Sequence, residues 1–297
     1  MALYASYILM GPSLHFTVQE PAERTTGVVF ASPHSGRAYP DAMRAATRLD
    51  AQALRSSEDA YVDRLIDAAP RLGAPLLLAH TPRAYVDLNR SPDELDPAVI
   101  EGVRRVVHNP RVSSGLGVIP RVVANGRAIY CGKLSQAEAR ARIDTHWHPY
   151  HAALQDLMTG QRAQFGKAVL IDCHSMPHEA IEGATGGHGR TPEVVLGDRF
   201  GAACDAAIID GIEAAFRAEG LRVARNAPFA GAFIAQRYGR PAQGFHVVQI
   251  EIDRALYMNE ATLEPLACFE GLRAMMARVM GQIVDLGRAV DVSMAAE

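Results

Sequence analysis

KAVLIDCHSMP (167–177) decides how the chain is read. Ala168 to Ile171 is an unbroken apolar run, and the pattern breaks at His174-Ser175-Met176-Pro177. A short apolar run without polar alternation is the signature of a strand covered on both faces. GVVFAS (27–32) repeats the arrangement and runs into a second histidine turn, Pro33-His34-Ser35-Gly36. Further strands are expected at PLLLA (75–79), AYVDL (84–88), EVVL (193–196), LRVA (221–224) and FHVVQIEI (245–252). Helices are expected between them. Residues 59–72 carry Val62, Leu65, Ile66 and Ala69 at helical spacing and stop at Gly73. Residues 135–158 open on Ser135 with Glu138 three positions on, a capping-box pattern. Residues 199–219 close on Gly220, and 263–286 form a last helix. Residues 91–130 are rich in Gly, Pro and Arg and read as long loops. Strands alternating with helices predict an α/β fold: one domain over residues 1–297, with a mixed, mostly parallel sheet and helices on both faces.

Composition limits the partners. The 297 residues include 48% hydrophobic and 21% charged side chains, ordinary values for a soluble globular protein. Thirty basic and 33 acidic residues give a net charge of −3. That argues against nucleic acid or an anionic membrane as partner. Residues 1–16 are apolar but lack a basic start and are interrupted by Gly11-Pro12, so neither leader nor membrane anchor is expected there. Cys131, Cys173, Cys204 and Cys268 form no CxxC pair, which suits reduced thiols in the cytoplasm.

In open α/β sheets, ligands bind beyond the carboxyl ends of the strands. His34 and His174 both stand at such ends. Either one alone reads as a solvated turn residue. Together, on neighbouring strands, they would project two imidazoles into one crevice, and imidazole is a common zinc ligand. A third ligand should be a carboxylate or histidine. Glu58 and Asp59 both qualify, although acids in a first helical turn also serve as dipole partners. Glu251 lies in an apolar strand with Gln249 and Asp253 on the same face. It is either an edge carboxylate facing water or a general base for hydrolysis. Arginines able to grip a substrate carboxylate are Arg83, Arg90, Arg121, Arg237, Arg240 and Arg254. Asp87 and Asn89 beside Arg90 form either part of a site or a structural cluster. Of His146, His148 and His151, one is expected to support the site from the helix. Cys173 beside His174 raises a thiol hydrolase as a rival, and a metal- or amino-acid-binding protein is another.

These residues fall in a pattern that resembles the N-formylglutamate amidohydrolase family. The matching stretches are SPHSG (32–36), EDAYVDRLID (58–67), PRAYVDLNRSPDELDP (82–97), GVIPRV (117–122), HPYH (148–151), LIDCHSMP (170–177), VVLGDRFG (194–201), NAPFAGAFIAQRYGRP (226–241) and VVQIEIDRALYM (247–258). The resemblance implies a fold like that of zinc carboxypeptidases. It implies a metal held by His34, Asp59 and His174, with Glu251 as catalytic base. It selects Asp59 over Glu58, although Ala60 stands where the family often has an aromatic residue. It implies Arg83, Asn89, Arg90, His151, Arg237, Arg240 and Arg254 as residues around a small acidic substrate, N-formyl-L-glutamate, cleaved to glutamate and formate. Zinc suits two histidines and one carboxylate, with iron, cobalt or manganese as substitutes.

Overall fold

The computed structural model describes residues 15–104, 109–182 and 191–288. Seven strands form one sheet: β1 (Phe16–Gln19), β2 (Val28–Ser32), β3 (Leu76–Ala79), β4 (Ala168–Met176), β5 (Val194–Gly197), β6 (Val223–Arg225) and β7 (Phe245–Asp253). Their order is β1-β3-β2-β4-β7-β5-β6. The central strands β3, β2, β4 and β7 are parallel; β1 is antiparallel to β3, and the pair β5 and β6 is reversed against β7. The sheet is therefore mixed and mostly parallel, as the apolar runs imply. β4 is buried along its whole length because helices cover both faces. On one face Val28, Phe30, Val169 and Ile171 pack with Phe216, Met276 and Met280 of the helices Ala206–Ala218 and Phe269–Leu286. On the other, Val29, Leu77 and Leu170 pack with Tyr150, Leu154 and Tyr238 of His148–Phe165 and Phe233–Tyr238. Each such side chain contributes roughly 1.5–3 kcal/mol when fully buried.

Several elements differ from expectation. AYVDL is not a strand: Tyr85 and Val86 both donate to the Pro82 carbonyl, so the segment turns. Asp87 N–H then goes to Val118 O instead of a sheet partner. Residues 59–72 form only a single turn, Val62–Leu65, and a 3₁₀ turn, Ala69–Leu72. Tyr61 at φ 65° precedes the first, and Pro70, which has no N–H, lies in the second. The 135–158 helix runs on to Phe165 but is interrupted by a π turn, Ile143–Trp147, just before Pro149. Ser135 does cap it, accepting from Glu138 N–H at 3.1 Å, while the Glu138 carboxylate turns to Arg142 instead of closing the box. Residues 199–204 stay outside the 206–218 helix because Arg199 and Phe200 sit at φ 57°. The last helix begins at Phe269, after Glu264–Pro265 pairs with Met258–Asn259. Among the described residues no helix is long and apolar enough to cross a membrane. Nearly all of the apolar N-terminal stretch, residues 1–14, lies outside the described residues.

Gly36 shows how closely the turn after β2 packs. A Cβ there would lie 2.3 Å from Thr81 O and 2.6 Å from the His80 carbonyl, both backbone. Gly36→Ala is expected to destabilise the fold by about 1–3 kcal/mol in urea unfolding. Gly132→Ala, where a Cβ meets nothing within 4 Å, should stay within about 0.5 kcal/mol.

Candidate metal centre

β2 and β4 pair directly, with Ala31 opposite Asp172, so the histidines that follow in each strand direction come together. Their ring centroids are 4.8 Å apart. His174 lies inside β4, which continues to Met176, and not beyond its end as the break in the apolar run suggests. Asp59 is brought in by the chain itself: its N–H donates to His34 O at 3.0 Å. Glu58 faces away, to Arg55 and to the Tyr39 hydroxyl at 2.8 Å.

His34, Asp59 and His174 form a group whose ligand atoms all lie within 4.8 Å of one another, and all three are at most 3% exposed. Asp59 Oδ2 is 3.5 Å from His34 Nδ1 and 2.9 Å from His174 Nδ1. The opposite ring nitrogens are committed to carboxylates. His34 Nε2 is 2.7 Å from Asp87 Oδ1, and His174 Nε2 is 3.1 Å from Asp172 Oδ2. With a cation at the centre, each Nε2–H would donate outward and each Nδ1 would turn its lone pair inward, the arrangement of metal-ligating histidines backed by acids. His34 Nδ1 is buried and has no hydrogen-bond partner among the described residues. A buried polar nitrogen left so costs free energy unless another acceptor of its lone pair is supplied. The donor set fits one divalent cation.

The electrostatics follow from these contacts. Burial alone would raise the pKa of Asp59, but the hydrogen bond from His174 and the charge of both imidazoles hold it well below the usual carboxylate range. Burial acts likewise on Asp87, and His34 and Arg83 overcome it. Glu251 behaves differently. It lies opposite His174 in the β4–β7 register, is 8% exposed, and accepts from Gln249 Nε2 at 2.8 Å. Burial pushes its pKa up to about 7, with His174 opposing and Asp59 reinforcing the shift. It is a central-strand residue, not an edge carboxylate.

The other residues picked from sequence divide by their partners. Arg83 donates Nη2 to Asp87 Oδ2 at 2.9 Å and keeps its side chain 23% exposed. Asn89 is pinned by Ile234 N–H on its Oδ1 and lies within 3.4 Å of Asp172, His174 and Gln249. Arg254 is buried against Asp59: Nε reaches Ser175 Oγ, and Nη2 reaches both Glu58 O at 2.8 Å and Asp59 Oδ1 at 3.1 Å. Arg90 serves the loops, donating to Leu116 O and Asn89 O. Arg121 pairs with Asp96. Arg237 and Arg240 lie over the rings of Tyr238 and Phe245. His151 uses both nitrogens structurally, on Leu88 O at 2.8 Å and the Tyr238 hydroxyl at 2.9 Å. His148 is exposed near Asp144, and His146 bonds Thr81. Cys173 packs into the opposite core, where burial pushes its thiol well up. Asp172 escaped the sequence reading. Its position two residues before a strand histidine, hence on the same face, is the signal that points to it.

The chain is similar to known proteins over most of its length. Residues 26–258 match the family described as N-formylglutamate amidohydrolase. The N-formylglutamate deformylase of Pseudomonas aeruginosa is 33% identical over 273 residues, covering 88% of this chain and 94% of that protein. The Pseudomonas putida deformylase is 30% identical over 264 residues, 86% and 90% of the two chains. The crystal structure of N-formylglutamate amidohydrolase from Ralstonia eutropha JMP134 superposes with a TM-score of 0.86 at 36% identity, covering 92% of this chain and 98% of that one.

Burial lowers the His151 pKa to about 3, against an ordinary value near 6.5. The unfolded chain therefore takes up this proton first. The stability conferred by the neutral ring is complete above about pH 6.5 and is lost as the pH falls towards 3. In urea unfolding, the gap between wild type and His151→Gln should narrow from pH 7 to pH 4. A constant gap would assign the effect to packing alone.

Proposed function

The chain belongs to the N-formylglutamate amidohydrolase family, and from that premise we propose that it hydrolyses N-formyl-L-glutamate to L-glutamate and formate at a centre of His34, Asp59 and His174. The observation that carries this reading is the convergence of three buried ligand atoms beside a carboxyl group whose pKa lies near neutrality. Zinc is the cation we assign, because two imidazoles and one carboxylate with room for a further ligand suit a catalytic zinc site. When bound, it would supply Lewis acidity at the scissile formyl group and lower the pKa of water.

The chain's own residues do the remainder. Glu251, with a pKa near the working pH, takes the proton from the attacking water and passes it to the departing amine nitrogen. Asp87 and Asp172 keep the imidazole lone pairs directed inward. Arg254 fixes Asp59, so we assign it to positioning and not to substrate. Arg83 is the substrate anchor: it is the partly exposed guanidinium among those in contact with the cluster, and only its Nη2 is tied. Asn89, Arg90 and His151 hold the wall that carries it. Arg237 and Arg240, stacked on rings, receive no role in binding substrate. A small acidic substrate accords with such an anchor. We further assign the reaction to the end of a histidine-degradation route in the cytoplasm, where four unpaired cysteines are at home.

Formate release by metal-analysed protein tests the proposal. Chelation should abolish activity and zinc should restore it, whereas thiol alkylation should have little effect. Glu251→Gln is expected to lower kcat by about 10²–10⁴ with metal content unchanged. Near-normal turnover in that variant would assign the base elsewhere. Arg83→Ala should raise KM about 10–100-fold, the cost of one charged hydrogen-bonding anchor. Equal rates on N-formylglutamate and on neutral N-formyl amino acids would remove the acidic specificity.

A further inference from the structure

A basic cavity is lined by residues other than those of the metal centre. It has a volume of about 470 Å³ and is lined by Arg37, Tyr39, Arg44, Thr47, Leu54 and Arg55, among others. None of these belongs to the cluster around His34, Asp59 and His174. Two of the guanidiniums are held in place by acids. Arg37 pairs with Asp63 at 3.0 Å, and Arg55 grips Glu58 through Nε and Nη2 at 3.0–3.1 Å. The Glu58 side chain is 1% exposed and also accepts from the Tyr39 hydroxyl. Arg44, in the last turn of the helix Asp41–Ala46, has no carboxylate partner among the described residues, so its charge is uncompensated. Thr47 Oγ1 accepts from Leu49 N–H at 3.1 Å, which leaves its own proton to donate.

We propose that this cavity binds a phosphate dianion attached to a small organic group. One carboxylate offers two oxygens, which a single guanidinium fork satisfies. The unpaired fork of Arg44, the N–H groups that Arg37 and Arg55 do not spend on Asp63 and Glu58, and the Thr47 hydroxyl match the three peripheral oxygens of a phosphate monoester. Arg37 and Arg55 are already oriented, which reduces the ordering cost of binding. Tyr39 and Leu54 give the organic portion an apolar wall. The larger cavity, about 670 Å³, near Thr25 and Gly73 is lined by Glu23 and Asp285 as well as Arg71 and Arg288, and so favours neither sign of charge.

Isothermal titration with inorganic phosphate and with glycerol 3-phosphate tests the site. The wild type should bind one equivalent of either. Arg44→Glu should weaken binding at least tenfold while leaving phosphate-free turnover of N-formylglutamate unchanged. Arg83→Ala should bind phosphate as the wild type does. Tighter binding of the monoester identifies an organic phosphate as the occupant, and equal affinity identifies free phosphate. Absence of binding at millimolar phosphate overturns the proposal. So does wild-type affinity in Arg44→Glu, or a loss that appears in Arg83→Ala instead.

Discussion

The grip of Asp87 and Asp172 on the outer nitrogens of His34 and His174 is the constraint on which the centre depends. A neutral imidazole carries one proton, and that proton settles which nitrogen has the lone pair. Fixing both protons outward turns two rings that would otherwise be free to choose a tautomer into a pair of inward donors. Asp59 stands between the two rings and is itself held by Arg254.

That arrangement needs a rigid floor. β4 and β7 pair in register over nine residues, from Ala168 opposite Phe245 to Met176 opposite Asp253. Each polar residue at the carboxyl end of one strand therefore has a defined neighbour on the other, Asp172 beside Gln249 and His174 beside Glu251. The apolar halves of the same strands are packed from both sides, which fixes the height of these side chains relative to one another. Rigid elements hold donor geometry more tightly than loops do.

Much of this was legible in the sequence because burial on two faces leaves a simple record. The runs around Val29 and Leu170 could only be covered strands, and each led to a histidine. Other features had no local trace. β4 continues past Cys173 although its sequence turns polar, because β7 and the acid network satisfy those groups. AYVDL has the composition of a strand, yet the Pro82 carbonyl closes a turn over it. Asp59 stood out from Glu58 only through the family resemblance, since two adjacent acids differ in which way they face. Arg254 has the chemistry of a substrate anchor, and only its three-dimensional neighbours, Ser175, Glu58 and Asp59, show that it is a clamp.

The π turn at Ile143–Trp147 widens one turn of the long helical arm. Each residue of an α-helix advances about 100° around the axis. At that advance Ala139, Ile143, Trp147, Tyr150, Leu154 and Leu157 share one face of the arm, and all six lie in the same core. The last residue of the π turn, Trp147, donates Nε1 to the Arg90 carbonyl at 3.0 Å, so an insertion or deletion within 143–147 would be transmitted to the 89–90 loop beside the histidines.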